Sequence, residues 1–428
     1  MGLYLLVILL AGGMLIGVPI FLAIGFATLA YVIDVGPMIL PIFMQRLFAG
    51  TLSYSFAAVP LFMLAGAIMG ECGITDRIIQ FTRTLVGHWR GGLAQVNIAT
   101  SIVFAGKSGS ALADTAIVGS IMVPVMEKQG YERAYSAAVT AASATLSPII
   151  PPSIVMVIYA AAFRVRVGSL FAAGVVPGFV LAFSMMVVTY VLARIRKYPS
   201  YPKATLREIG EATLAAWSAL VMPLIILGGM FSGVFTANEA ASVAVVYALV
   251  LALGVYRNTS LKQIAALFRQ TALRTASILM ILAVAQNFAW IISRERIPTI
   301  VAQWLLGITD HRVLLLLLIG LLLFVAGLFI ERVVNLFLLG PILLPILTLQ
   351  LEMHPIHAGL MMIFILGIGH VTPPFGAALY TIAMVSETKV EEIVRFMWPY
   401  IVGMIVVGLL ITFVEPLSLW LPNALGLL

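Results

Sequence analysis

Residues 104–126 read FAGKSGSALADTAIVGSIMVPVM, a small and polar insertion in an otherwise apolar stretch. Asp114 follows Ser110 by four positions, so a helix sets both on one face. An ionisable side chain at membrane depth is costly and is a functional candidate by default. The structural alternative is a helix cap or a buried carboxylate. Lys107 can pair with Asp114, face lipid headgroups or meet an anionic substrate. Residues 147–153, SPIIPPS, hold prolines at 148, 151 and 152. No continuous helix passes through them. The freed carbonyls must be satisfied within the membrane. Neutral oxygens of this kind suit a hard monovalent cation such as Na⁺. Ser147, the carbonyls before Pro151 and Pro152, and Ser153 would meet a turn at Lys107-Ser108-Gly109-Ser110 around one ion.

The second half carries a parallel set. Gly327 to Glu331 marks one break, with Asn335 four residues after Glu331 and Arg332 beside it as a local charge pair. Residues 367–376, GIGHVTPPFG, form the partner, where Thr372 offers a hydroxyl. His370 reads as a hydrogen-bonding or substrate-facing residue. No second histidine or cysteine lies at metal-ligand spacing, since His354 and His357 fall near a membrane boundary. In TANEAA, Thr236 with Glu239 three residues on has the form of a capping box.

These residues need a membrane to make sense of them. The chain has 428 residues, 62% hydrophobic and 10% charged, with a mean hydropathy of +1.13. A soluble enzyme and a disordered chain are both excluded, because too little polar surface exists to wrap such a core. The class is an all-α polytopic membrane protein, with room for roughly 10 to 14 crossings of the lipid bilayer. The net charge of +7 sits mostly in short loops, where it sets topology, and implies no nucleic acid. The single cysteine, Cys72, excludes a disulfide framework. The start, MGLYLLVILLAGG, lacks a basic n-region and reads as a first membrane segment.

The stretch 92–126 would span about 50 Å as one helix, more than the hydrocarbon core. A re-entrant hairpin over 92–126 solves this, and a second over 313–348 does the same. Broken helices are expected at 136–162 and 357–384. The stretch 3–33, interrupted at Gly17-Val18-Pro19, is one tilted helix or two short pieces. Interfacial amphipathic helices are expected over 76–89, 261–274 and 388–396. Residues 194–211 carry Arg194, Arg196, Lys197, Lys203 and Arg207 and form a cytoplasmic linker. That linker divides the chain into halves at 1–193 and 212–428, and 294–312 is then external. The halves share an ordered set of helix breakers. Pro124 matches Pro345 and Pro151 matches Pro373 at nearly one offset, while Pro60, Gly66 and Gly70 resemble Pro223, Gly229 and Gly233. An odd number of crossings between equivalents makes the halves inverted repeats, a secondary-transporter pattern.

FAGKSGSALAD, SPIIPPS, TANEAA, PILLPI and GHVTPPFG, in this order, resemble the large membrane subunit of the tripartite ATP-independent periplasmic (TRAP) transporters, the DctM type. The resemblance covers essentially the whole chain. It implies an elevator-type transporter and Na⁺-driven uptake of an organic acid, such as sialic acid or a C4-dicarboxylate. The setting is the cytoplasmic (inner) membrane of a bacterium or archaeon. It implies one Na⁺ at Gly106, Ser108, Gly109, Ser110, Ser147, Ile150 and Pro152, and another at Gly327, Gly367, Gly369, Thr372 and Phe375. Lys107, Asp114, Ser153, Glu331, Asn335 and His370 are candidates for substrate contact or coupling. Lys107 and Glu331 depart from the family pattern, where small neighbours and an aspartate are expected. Two partners are implied: a periplasmic substrate-binding protein and a small four-helix membrane subunit on a separate polypeptide. The alternative within transport is a stand-alone Na⁺-coupled carboxylate carrier. An intramembrane enzyme using Asp114, Glu331 and His370 has no geometry to support it.

Overall fold

Backbone polar groups in hydrocarbon must find partners within the chain, and helices satisfy them locally. The computed structural model describes residues 2–51 and 54–428, apart from the side chains of Pro37, Gly50, Tyr54, Ser55, Gly106, Lys107 and Ser108. Among the described residues every regular element is helical. Seven helices are long and apolar enough to cross a membrane: Val167–Arg196, Leu206–Phe231, Ala237–Val255, Leu261–Arg294, Arg312–Phe329, Arg332–Gln350 and Val390–Phe413. Ala58–Glu71 and Thr75–Val86, bent by 82°, make an eighth if taken as one span. The allowance of roughly 10 to 14 crossings is larger. The difference lies in apolar stretches that the chain breaks into helices too short to span by themselves.

The stretch 3–33 is two helices, Gly2–Leu15 and Ile20–Val35. They run antiparallel: Gly2 packs on the Tyr31 ring and Gly13 on Ala23. Gly17 makes the turn at φ 77°, a conformation open to glycine. Thr75–Val86 is a helix of its own, amphipathic as expected. The other two interfacial segments are not separate. Residues 261–274 open the 34-residue helix Leu261–Arg294, and 388–396 run into Val390–Phe413. No breaker separates either segment from the apolar run that follows it. The region 294–312 also holds a helix, Ile297–Ile308, rather than a plain loop. Pro60 stands in the first turn of Ala58–Glu71, whereas Pro223 lies inside Leu206–Phe231, so this pair of breakers is not placed alike.

Helix starts follow local chemistry. Thr205 with Glu208, Thr236 with Glu239 and Ser260 with Gln263 each form a reciprocal capping box. Two helices form the centre. From Ala134 to Ala144 every side chain of Arg133–Ala144 is buried, and from Ile356 to Gly369 every side chain of Pro355–Gly369 is buried. A helix that is apolar all round belongs inside a protein. Both central helices end at the proline-rich breaks. Tyr159 joins them by donating to Pro355 O at 3.0 Å. At the periphery Phe183, Leu214 and Leu224 stay exposed, a surface suited to lipid and not to water.

Candidate ion and substrate site

The stretch 92–126 is two helices, Gly92–Ser108 and Ala111–Lys128, separated at Gly109–Ser110. They run antiparallel, since Asn97 Nδ2 lies 3.7 Å from Met126 Sδ. Gly109 turns the chain at φ 59°. A Cβ there would sit 2.9 Å from Ile154 N and 3.1 Å from Pro152 O. The turn is therefore seated on the SPIIPPS break, and only glycine fits. Ser110 caps the second helix by accepting from Ala113 N at 3.5 Å.

Asp114 is fully buried one turn further on, and Ser147 Oγ donates to its Oδ2. Gly109, Ser110, Asp114, Ser147 and Pro152 thus gather at one place. Ile150 N bonds Leu146 O at 2.8 Å, within the irregular turn. Ser153 is used differently from expectation. It donates to Pro148 O at 2.8 Å and accepts from Met156 N at 3.3 Å, capping Ile154–Phe163. The side chains of Gly106, Lys107 and Ser108 lie outside the described residues.

A polar ladder fixes this arrangement. Asn97 Nδ2 donates to Thr140 Oγ1 at 2.7 Å, and Ser101 Oγ donates to Ser143 Oγ at 2.8 Å. Sequence reading passes these four by. Their signal is polar residues at helical spacing, 97 with 101 and 140 with 143, in two apolar segments.

The second group follows the same backbone plan. Arg312–Phe329 ends at Ile330, and Glu331 caps Arg332–Pro345 by accepting from Val333 N at 2.8 Å and Val334 N at 3.3 Å. Asn335 Nδ2 closes the break through Ala326 O at 3.0 Å and Ile330 O at 2.9 Å. Gly327 and Gly369 meet backbone to backbone: a Cβ on Gly369 would lie 2.3 Å from Gly327 C. Thr372 Oγ1 donates to Ile368 O at 2.7 Å, leaving its lone pairs for another partner. His370 is buried with Nδ1 at 3.3 Å from Leu366 O. His354 caps Pro355–Gly369 through Ile356 N. The rings of Phe329 and Phe375 meet at 5.3 Å, tilted by 46°, across the two breaks, and both are exposed. The two groups face one another across a cavity of ≈ 10 Å³ lined by Thr145, Ile149, Gly367 and Ile368 among others, room for about one water.

The Glu331-Arg332 charge pair is looser than a salt bridge. Among the described residues no hydrogen-bonded ion pair joins them, although the two charges lie within electrostatic reach. The Glu331 carboxylate turns to the helix amides, while Arg332 is 2% exposed and its Nε, Nη1 and Nη2 have no hydrogen-bond partner. Adjacent residues on a helix do not face each other. Both breaks also contain a cis peptide, Pro151–Pro152 and Pro373–Pro374. Among the described residues no cluster of three or more His, Cys, Asp or Glu side chains forms. Backbone carbonyls, serine and threonine hydroxyls and the Asp114 carboxylate are the available ligands, a hard-oxygen set suited to Na⁺ rather than to a transition metal.

Residues 3–417 match the family model described as "Tripartite ATP-independent periplasmic transporter, DctM component". The chain is 37% identical over 407 residues to the sialic acid TRAP transporter large permease protein SiaM of Vibrio cholerae, covering 95% of each. It is 39% identical over 383 residues to the C4-dicarboxylate TRAP transporter large permease protein DctM of Pseudomonas aeruginosa, covering 89% of each. Among solved structures, the YdaH transporter of Alcanivorax borkumensis superposes with a TM-score of 0.64 over 89% of this chain and 90% of that one, at 15% identity, which is a likeness of fold. A multi-pass transport protein of the bacterial inner membrane and not an enzyme, the chain belongs to the DctM family as a large permease subunit of a TRAP transporter.

Proposed function

We propose that this chain performs Na⁺-driven uptake of an organic acid, taking the acid from a periplasmic substrate-binding protein. The observation that carries the reading is the pair of Pro-Pro breaks, each seated against a glycine at a second helix break: Gly109 on Pro152, and Gly327 on Gly369. A duplicated arrangement of broken helices within a membrane protein is how many secondary carriers build ion sites from main-chain oxygens. Gly109, Ser110, Ser147, Ile150 and Pro152, with Gly106 and Ser108, surround one Na⁺. Gly327, Gly367, Gly369, Thr372 and Phe375 surround the other. Asp114 orients Ser147 and adds negative charge beside the first ion.

On this reading 92–126 and 313–348 are re-entrant hairpins, and the halves 1–193 and 212–428 are inverted repeats joined by the cytoplasmic linker 194–211. The hairpins and breaks travel together as an elevator against the remaining helices and a separate small membrane subunit. The names of the relatives, sialic acid and C4-dicarboxylate permeases, point to a carboxylate substrate. Each positive charge carried inward gains about 2.3 kcal/mol per 100 mV. Two Na⁺ with a monoanion move one net charge inward, so the potential drives uptake. Two Na⁺ with a dianion move none, and the Na⁺ gradient alone must drive it.

The test is uptake of radiolabelled sialic acid or succinate into proteoliposomes holding this chain and its small subunit. The binding protein is added outside, and Na⁺ and proton gradients are imposed in turn. Uptake requiring both the binding protein and the Na⁺ gradient supports the proposal. Na⁺-driven uptake without the binding protein makes the chain a stand-alone carrier. A proton gradient substituting fully for Na⁺ removes the ion assignment.

A further inference from the structure

Arg332 is the buried cation that the proposed Na⁺ sites do not use. It sits at the first position of Arg332–Pro345, against the central helix Pro355–Gly369. A Cβ added to Gly367 would lie 2.5 Å from Nη2 and 3.0 Å from Cζ, so the guanidinium lies directly over the bare backbone of Gly367. It is 2% exposed, and none of its three nitrogens has a hydrogen-bond partner. Glu331 lies within electrostatic reach, but none of the groups around it accepts a hydrogen bond from the guanidinium. Glu331 spends its carboxylate on Val333 N and Val334 N. Asn335 spends its amide donors on Ala326 O and Ile330 O, and its Oδ1 is likewise without a partner. His370 lies within electrostatic reach and offers no negative charge.

A guanidinium stays charged at any physiological pH. Burying one with all its donors unsatisfied is costly, even with a carboxylate within electrostatic reach. Its five donors form a flat fork that matches a carboxylate with two parallel hydrogen bonds. The counter-ion must be small, because Arg332 is enclosed by elements of this chain and no surface of another protein reaches it. We infer that Arg332 is the substrate-recognition residue, holding the carboxylate of the transported organic acid in a bidentate pair over Gly367. The inference rests on the transport reading above. It adds that a single guanidinium engages a single carboxylate, and that an acid without one is not bound.

The experiment uses the chain with its small subunit, as wild type, R332Q and R332K, and pairs uptake with acid-induced thermal stabilisation in detergent. Sialic acid and succinate are the probes, with the methyl ester of each as neutral control. R332Q should raise KM, or the concentration for half-maximal stabilisation, about 100-fold. R332K, a point charge without the fork, should raise it about 10-fold. Stabilisation by Na⁺ alone should survive in both variants, and the esters should not stabilise the wild type. R332Q should fold with a Tm equal to or above the wild type, because it removes a buried charge whose donors have no hydrogen-bond partner. A KM for R332Q within about 3-fold of wild type overturns the inference and leaves the transport reading intact. A clear fall in Tm for R332Q without acid also overturns it, since the guanidinium would then have structural partners. Carboxylate stabilisation lost in R332Q, with no Na⁺-driven uptake by the wild type, sinks the transport reading and upholds Arg332 as the carboxylate site.

Discussion

Gly369→Ala tests whether the second ion group depends on the backbone contact that assembles it. The new Cβ would stand 2.3 Å from Gly327 C, 2.5 Å from Gly327 O and 2.7 Å from Leu328 N, where ordinary contact begins at 3.4 Å. The shortfall is about 1 Å, and every atom met is main chain, so no side chain can turn away. Either Pro355–Gly369 or Arg312–Phe329 must shift. Overpacking of this kind costs about 1–3 kcal/mol. The site should lose more than stability, because Gly327 and Gly369 are both proposed ion ligands and the substitution pushes them apart. At 1.4 kcal/mol per decade, the apparent Na⁺ affinity should fall about tenfold or more.

Gly228→Ala is the matching control. It lies inside the helix Leu206–Phe231, and its Cβ would meet nothing within 4 Å. Alanine there should stabilise by about 0.5–1 kcal/mol through helix propensity. The two variants should therefore lie about 1.5–4 kcal/mol apart, on opposite sides of wild type. Thermal unfolding in detergent reads the first difference, and the Na⁺ dependence of uptake reads the second. Equal Tm and equal Na⁺ dependence in the two alanine variants would refute the argument.

Ser147→Ala removes a donor from the fully buried Asp114 carboxylate. It should cost about 1.5–3 kcal/mol of stability and weaken Na⁺ dependence, while Asp114→Asn should leave the complex assembled with coupled uptake reduced. Normal Na⁺ titrations of uptake in both variants would remove the first ion group from the mechanism. Thr236→Ala breaks a surface capping box in which Thr236 Oγ1 donates to Glu239 Oε2 at 2.8 Å and accepts from Glu239 N at 3.4 Å. It should lower stability by about 1 kcal/mol with KM and Na⁺ affinity unchanged. A change in transport kinetics there would show that Glu239 does more than cap its helix.

What could be read from the sequence was what proline and glycine do to a helix without help from tertiary contacts. SPIIPPS and HVTPPFG cannot be helical because their prolines lack donors and clash with the preceding turn. The breaks fall there, at 145–153 and 370–376. The GSG turn and the capping box at Thr236 are local in the same sense. Misreadings arise where the outcome depends on a neighbour elsewhere in space. Residues 261–274 look interfacial alone, yet nothing between Arg274 and Ser277 stops a helix, so the charged face is the opening of a longer one. Ser153 looks like an ion ligand by its place beside two prolines, but Met156 N and Pro148 O are nearer claims on its hydroxyl. The ladder of Asn97 and Ser101 with Thr140 and Ser143 needs two segments to be known as neighbours.

The Glu331-Arg332 dipeptide is the most instructive of these cases, because the two charges stay within electrostatic reach while the carboxylate gives its hydrogen bonds to the helix amides. Asp114 and Arg332 are the two ionised side chains buried among the described residues, excepting the histidines. They belong to different breaks, and no ion pair joins them. Two frames of the same backbone form therefore differ in the charged side chain that each buries. Had the fold placed both in one frame, they would have formed a buried salt bridge, satisfied and in need of no ligand. Kept apart, each is answered within its own frame: Ser147 Oγ donates to Asp114, and Glu331 lies within electrostatic reach of Arg332. A carrier that must take up a cation and a carboxylate together gains from this separation.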